Sequence, residues 1–494
     1  MSGLKTSQKE GGRIITISPV TRIEGHAKVE IILDDRGNVR EAYLQIAELR
    51  GFEKFCEGRL VEELPGIMPR ICGVCPGAHH MASVKAVDAV FDAEPTETAK
   101  KLRELFLCAH IYHSHTAHLY LLAGPDFLAP SEPAERNIIG VVKRLGVEFG
   151  REIILNRRYA QRVQEMMGGK ATHPVFGLPG GVSRPLSDED RKAIEGMFRS
   201  MLSFAERSLS LWEESILKRG IVDLLKGDPY HLETHYMGMV DKDNRVNFYE
   251  GEIRVVDPGG REIARYRPED YLDFIGEHVE PWSYLKFPFL KRIGWRGITD
   301  GEESGVYRVN SLARLNVSEG MSTPLAQDAF ERMYEFFGCK PIHATMAFHW
   351  ARLIEALYAA ERGLELLADP EITGGDIRSE VKRPVGEGVG VVEAPRGTLY
   401  HHYMTDGEGI VQRVNLIVAT AQNNAAMCLS VKRAASSLIR NWEVGGEILN
   451  MIEMGVRAYD PCLGCATHSY IGQMPLKVNI RRANGEIYRS FTRP

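Results

Sequence analysis

The chain has 494 residues, 44% of them hydrophobic, and a formal net charge of -5 at pH 7. That is enough apolar material for a large core, and the slightly acidic balance leaves no basic footprint for nucleic acid. No apolar run reaches the roughly 20 residues of a membrane-spanning helix, and the polar stretch 1–12 lacks the apolar centre of a signal peptide, so a cytoplasmic chain with no direct membrane span is expected.

In chain order, Arg13–Ile17, Ala27–Leu33 and Asn38–Ile46 alternate polar and apolar residues around the turn Asp34-Asp35-Arg36-Gly37. That pattern predicts an N-terminal antiparallel sheet over 13–48. Helical periodicity begins after Cys75. One long run covers Thr96–Leu122 and stops at Gly124-Pro125; a second runs from Pro133 to Gly168-Gly169; a third starts at Ser187, a good N-cap before Asp188, Glu189 and Asp190. Runs of this length predict antiparallel helices in a bundle. Residues 226–300 read as a β-rich lobe, with Asp257-Pro258-Gly259-Gly260 as a hairpin turn. It reads as an insertion and not as an independent domain. Helices return at Pro324–Phe337 and Ala344–Ala368. A Gly- and Pro-rich stretch follows from Gly374 to Gly397, then a strand over Ile410–Val418 and helices over Asn423–Arg440 and Val444–Ala458. The fold class expected is mainly α with α+β character. It is a single domain over 1–468, with helical cores at 76–220 and 324–458.

Chemistry concentrates in two Cys-x-x-Cys pairs near opposite ends of the chain, Cys72/Cys75 and Cys462/Cys465, each followed by a histidine, His79 and His468. Thiolates suit soft or borderline metals such as zinc, nickel and iron. On spacing alone, structural zinc, an iron–sulfur cluster and a catalytic metal all stay open. Zinc ribbons, however, place their pairs about 15–20 residues apart, and here almost the whole chain separates them. The other cysteines, Cys56, Cys108, Cys339 and Cys428, have no ferredoxin-like spacing and read as buried small hydrophobes. No Gly-x-Gly-x-x-Gly fingerprint in a strand–helix context is present.

The flanks of the pairs are more specific. Arg70-Ile71-Cys72-Gly73-Val74-Cys75-Pro76-Gly77-Ala78-His79 and Asp460-Pro461-Cys462-Leu463-Gly464-Cys465-Ala466-Thr467-His468 resemble the two signature motifs of nickel–iron hydrogenase large subunits. Thr21–His26 and Arg50–Glu53 before the first pair, and Glu393–Gly397 between the two, match as well. The resemblance implies the large-subunit fold, a long helix bundle with an N-terminal sheet and a small β-rich insertion. It also implies reversible heterolytic cleavage of dihydrogen to protons and electrons. By the same resemblance Cys72 and Cys462 bind nickel terminally, and Cys75 and Cys465 bridge nickel to an iron that carries one carbon monoxide and two cyanides. His79 donates to the Cys465 sulfur. Arg396, beside Pro395, hangs over the metals and contacts cyanide, and Thr420 offers a hydroxyl to the other cyanide. Glu24 takes the proton from Cys462. Glu53, His468 and the backbone carbonyl near Leu416 hold a second metal, magnesium or iron.

Ser114 stands where respiratory relatives carry aspartate, and Ala419-Thr420 where they have Pro-Thr. Together with Gly51–Arg59, these point to the cytoplasmic, multimeric, cofactor-linked branch. That branch is tied to heterodisulfide reductase, NAD(P) or deazaflavin; Pro69–His80 and Asp126-Phe127-Leu128 favour the first. The resemblance further implies an iron–sulfur small subunit, additional heterodisulfide reductase or flavin/NAD subunits, and a maturation endopeptidase that cuts between His468 and Ser469 to release 469–494. The alternatives are a hydrogen sensor and a metal-free respiratory-complex homologue.

Overall fold

The computed structural model describes residues 5–9, 12–129, 132–218, 221–467, 476–481 and 487–493. Three strands of the N-terminal sheet fall where the alternation places them: Gly12–Ile17, Ala27–Leu33 and Val39–Ile46, all antiparallel. A fourth, Lys5–Lys9, pairs with Gly12–Ile17 inside the stretch whose polar composition gave no strand reading. One face of the sheet is apolar and buried, with Val29, Ile31, Leu33, Leu44 and Ile46 inside, as period-two side-chain alternation requires. Its last strand packs against the helix Asn424–Leu438.

The long helix of the first half runs Glu97–Ala117, capped by the Thr96 hydroxyl, which accepts from the Ala99 amide at 3.3 Å. It continues as a wider π-helical turn over His118–Ala123 and ends at Gly124-Pro125. The run expected from Pro133 to Gly168 is not one helix. A short turn at Pro133–Glu135 precedes a helix over Ile138–Leu145 and another over Val147–Gly168. Between them Gly146 takes φ 96°, a left-handed value that breaks the hydrogen-bond ladder and that glycine tolerates best. Ser187 caps Asp188–Lys218, its hydroxyl accepting from the Asp190 amide at 3.0 Å. Pro324–Phe337 has the expected bounds, whereas Phe348–Ala368 begins after a 3₁₀ turn over Thr345–Ala347. Glu97–Ala117, Val147–Gly168, Asp188–Lys218 and Phe348–Ala368 pack side by side as a bundle, burying their shared apolar faces. Among the described residues no helix is long and apolar enough to cross a membrane.

The β-rich lobe carries His235–Val240, Glu252–Val256 and Glu262–Tyr266, with the hairpin turn at Asp257–Gly260 as expected. Tyr307–Arg308 joins its edge in parallel, so the sheet draws on residues beyond 300. Its apolar face shares one core with Val391, Tyr400 and Ile417 from a second sheet, which is why the lobe is not an independent body.

That second sheet corrects the reading of the Gly- and Pro-rich stretch. Glu387–Ala394 and Gly397–Thr405 form a hairpin across the two-residue loop Pro395-Arg396, and Val411–Ile417 adds the third antiparallel strand. The glycines there serve close packing. A Cβ on Gly390 would stand 2.1 Å from the Ala82 carbonyl oxygen and the Ala86 amide nitrogen of the helix Pro76–Val90. Only glycine lets that helix lie directly on the strand. Beyond the second cysteine pair, Leu476–Arg481 pairs antiparallel with Ile487–Arg493. His468 and the His468–Ser469 bond lie outside the described residues. Of the scattered cysteines, Cys56, Cys108 and Cys428 are buried; Cys339 is exposed, because it follows the left-handed C-cap Gly338 of Pro324–Phe337 in a surface turn.

Candidate metal centre

The first pair sits at a junction of short elements. Cys72 closes a 3₁₀ turn over Met68–Ile71, and Cys75 precedes the helix Pro76–Val90, whose Pro76 suits a first-turn position. The Cys72 sulfur accepts from the amides of Val74 at 3.2 Å and Cys75 at 2.9 Å. The second pair opens a one-turn helix over Leu463–Ala466, with Asp460 at φ 52° setting the entry. Residues from the N-terminal motifs hold that loop in place. Leu463 donates to the Glu24 carbonyl at 3.1 Å, the Arg50 amide donates to Thr467 O at 2.8 Å, and the Arg50 guanidinium reaches the carbonyls of both Ile71 and Gly464. A Cβ on Gly464 would lie 2.7 Å from a Glu24 carboxylate oxygen, so a larger residue there would displace that side chain.

These contacts bring all four sulfurs into one buried group. Sulfur–sulfur separations are 2.9 Å for Cys72–Cys75, 3.0 Å for Cys462–Cys465, 3.1 Å for Cys75–Cys465 and 3.2 Å for Cys72–Cys462. Among the described residues this is the one group of potential metal ligands, with all ligand atoms within 4.8 Å of one another. Burial opposes ionisation throughout. At Cys72, hydrogen bonds from the other thiols, Cys462 foremost, and the Arg396 charge overcome it and hold the thiol well below its ordinary pKa. Burial instead pushes the Cys462 and Cys465 thiols well up. Four soft donors at this spacing fit a thiophilic metal, whose binding displaces the remaining protons.

One side of the group faces a small cavity lined by Cys75, His79, Pro395, Arg396, Thr420, Cys462 and Cys465, among others. A closed structural zinc site has no such open side. Arg396 projects from the hairpin loop and is fully ion-paired: its Nε donates to the Asp460 carbonyl at 2.7 Å and its Nη2 to the Asp460 carboxylate at 3.0 Å. Its Nη1 reaches the Ser114 hydroxyl at 3.4 Å. Against the cost of burial, the Asp460 carboxylate and the nearby sulfurs hold this guanidinium charged. The Thr420 hydroxyl oxygen accepts from the Cys462 amide at 3.1 Å, which leaves its own proton to donate. Glu24 is half-buried and accepts from the Gly464 amide at 2.9 Å. His79 is buried, with Nδ1 3.0 Å from His401 Nε2. Glu53, buried in the short helix Phe52–Cys56, accepts from the Leu416 amide at 2.9 Å. Two of the three residues expected at a second metal are therefore adjacent, and His468 lies outside the described residues.

Comparison with known proteins agrees with this geometry. The nickel-dependent hydrogenase model matches residues 50–138 and 301–468, and a HoxL-like model matches residues 14–49. The chain belongs to the nickel-dependent hydrogenase family. It is 47% identical over 481 residues to an iron-sulfur subunit of the F420-non-reducing hydrogenase of Archaeoglobus profundus, covering 97% of this chain and 99% of the relative. It is 38% identical over 496 residues to the NAD-reducing hydrogenase HoxS subunit beta of Cupriavidus necator, covering 96% and 98%. Among solved structures, an NAD+-reducing [NiFe]-hydrogenase in the H2-reduced state superposes with a TM-score of 0.87 at 38% identity, over 93% of this chain and all of that one.

For a nickel-dependent hydrogenase, several supports of the centre escaped sequence reasoning. Arg314 donates to the carboxylates of Glu355 and Glu393 and to the Ala394 carbonyl at 3.0 Å, so it anchors the loop that presents Arg396. Asn423 Nδ2 reaches the Arg396 carbonyl at 3.4 Å. Asp460 stands within the second cysteine motif, yet its pairing with Arg396 spans 64 residues. His401 faces His79 across 322 residues. No local spacing announces such partners.

Proposed function

We propose that this chain is the catalytic subunit of a hydrogenase that holds nickel and iron between Cys72, Cys75, Cys462 and Cys465, with Cys72 and Cys462 terminal on nickel and Cys75 and Cys465 shared with iron. The observation that carries the reading is the convergence of both distant cysteine pairs into one buried group with an open, arginine-lined side. The metals supply, when bound, a redox-active Lewis-acidic position at which dihydrogen is polarised and split into a proton and a hydride equivalent.

The protein's own residues do the rest. Arg396, charged and locked by Asp460, places a fixed positive field over the cavity, where it suits anionic ligands of iron such as cyanide. Pro395 stiffens the loop that carries it. Thr420 adds a hydroxyl donor on the adjoining wall, and His79 faces the same cavity. The Cys462 sulfur is the first acceptor of the proton. Glu24 comes next, pinned by the Gly464 amide at a position that flanks the second cysteine loop and reaches towards solvent. Glu53, the Leu416 backbone and His468 suit an oxygen-rich second site for magnesium or iron.

Electrons leave through a partner. Gly73, between the first two cysteines, is exposed, so the centre lies one residue beneath the surface there. An iron–sulfur small subunit docked over that loop fits, with further electron-transfer subunits of the heterodisulfide reductase or flavin/NAD kind, in a cytoplasmic complex. A maturation endopeptidase removing 469–494 completes the reading. The test is metal analysis with infrared spectroscopy of the purified complex. Nickel equal in amount to the catalytic subunit, iron in excess because the iron–sulfur clusters contribute to it, and carbon monoxide and cyanide bands are expected. Zinc in their place without those bands overturns the assignment.

A further inference from the structure

Behind His79 runs a chain of buried polar side chains that the proposed mechanism does not use. His79 Nδ1 meets His401 Nε2 at 3.0 Å, His401 Nδ1 meets the Tyr403 hydroxyl at 2.7 Å, and that hydroxyl lies 2.8 Å from Ser83 Oγ. Ser83, His401 and Tyr403 have no exposure and His79 has 1%. The arrangement follows from two periodicities. His79 and Ser83 are four apart on the helix Pro76–Val90, and His401 and Tyr403 are two apart on the strand Gly397–Thr405, so each pair shares a face. The close approach at Gly390, on the neighbouring strand, sets the helix near enough for the pairs to interlock.

We propose that His401, backed by Tyr403 and Ser83, is a positioning residue that fixes the ring plane and the proton-bearing nitrogen of His79 against the cysteine centre. A neutral imidazole carries one donor and one acceptor, and a hydroxyl serves as both. A chain of such groups therefore has only two consistent polarities. The Tyr403 hydroxyl donates to Ser83 Oγ, so it accepts from His401 Nδ1, and His401 Nε2 in turn accepts from His79 Nδ1. This order fixes the proton of His79 on Nδ1 and the orientation of its ring beside the sulfurs. The His79 and His401 rings are tilted by 54° at a centroid separation of 5.2 Å; rotation of either ring breaks the 3.0 Å contact. His401 also pairs across the sheet with Leu416, whose amide holds Glu53, so it stands between the cysteine group and the second-site residues.

This inference rests on the nickel–iron reading, and its test separates the two. The matured complex is prepared with His401→Leu, Tyr403→Phe, His79→Ala and the His79→Ala/His401→Leu pair, then measured for nickel content, infrared band positions and turnover. His401→Leu and Tyr403→Phe are expected to displace the bands in one direction, His401→Leu further, with turnover lowered ~10- to 100-fold for His401→Leu at unchanged nickel content. The double variant is expected to match His79→Ala alone, because His401 acts through that ring. Wild-type band positions in His401→Leu, or an equal displacement in the His79→Ala background, overturn the proposal. If His401→Leu does not load metal, Tyr403→Phe decides: displaced bands at full nickel content support positioning, and unmoved bands reject it. Absence of the bands from the unsubstituted complex instead sinks the nickel–iron reading itself.

Discussion

The contact between Gly390 and the helix Pro76–Val90 sets the geometry of half the metal centre, so Gly390→Ala is a sharp perturbation. The new methyl would lie 2.1 Å from the Ala82 oxygen and the Ala86 nitrogen, whereas ordinary contact begins at 3.4 Å. The helix or the strand must therefore retreat by about 1.3 Å, the difference between those distances. Both opposing atoms are backbone, so no side chain can swing away. Overpacking of a close-packed core costs ~1–3 kcal/mol, and more when backbone must move. At an unfolding entropy of about 2.1 cal/mol/K per residue, a chain of 494 residues shifts by about 1 °C per kcal/mol, so the unfolding midpoint should fall by ~1–3 °C. The displaced helix carries His79 and Ser83 and starts directly after Cys75, so nickel occupancy should fall with stability. Gly407→Ala is the control: it lies in the next turn of the same sheet and its Cβ meets nothing within 4 Å. Thermal unfolding followed by circular dichroism, with nickel analysis, gives the answer. If Gly390→Ala melts with Gly407→Ala and binds full nickel, the argument from close packing is wrong.

Further outcomes are expected elsewhere in the molecule. Glu24→Gln keeps an oxygen for the Gly464 amide, so metals should stay bound while turnover and hydrogen–deuterium exchange fall ~10²- to 10⁴-fold; full exchange activity removes Glu24 from the proton route. Arg396→Lys loses the fork that grips Asp460 and leaves that carboxylate poorly paired. Turnover should drop on the order of 100-fold without loss of nickel, and wild-type rates would discount the guanidinium field. Burial lowers the pKa of both His80 and His110 to about 4, below the ~6.5 of an unfolded histidine. The unfolded chain then takes up protons that the folded one refuses, so stability is full above about pH 6.5 and declines as pH falls towards 4. Each histidine should withdraw roughly 2 kcal/mol by about pH 5; a flat stability profile between about pH 6.5 and 5 contradicts their burial as neutral rings.

Local pattern was enough for elements whose stabilising contacts are local. Alternation located Ala27–Leu33, the Ser187 hydroxyl announced its helix, and Pro324–Phe337 appeared with both ends in place, because caps and periodicity act within a few residues. It failed at 387–394, where glycine-rich composition reads as loop. There the strand exists because a helix some 300 residues earlier needs the room that glycine leaves. It failed also at Gly146, where a continuous apolar period concealed a left-handed residue.

The same division runs through the site. The motifs around Cys72/Cys75 and Cys462/Cys465 named the donors, since thiolate chemistry and flanking identity are properties of the chain. Tertiary structure alone decided that the four sulfurs lie within 3.2 Å of their neighbours, that Arg396 is held by Asp460, Arg314 and Asn423, and that His79 is backed by His401. Such partners meet only after the sheets and helices have packed. Their selection depends on which faces close together in space, and residue spacing along the chain carries no record of that.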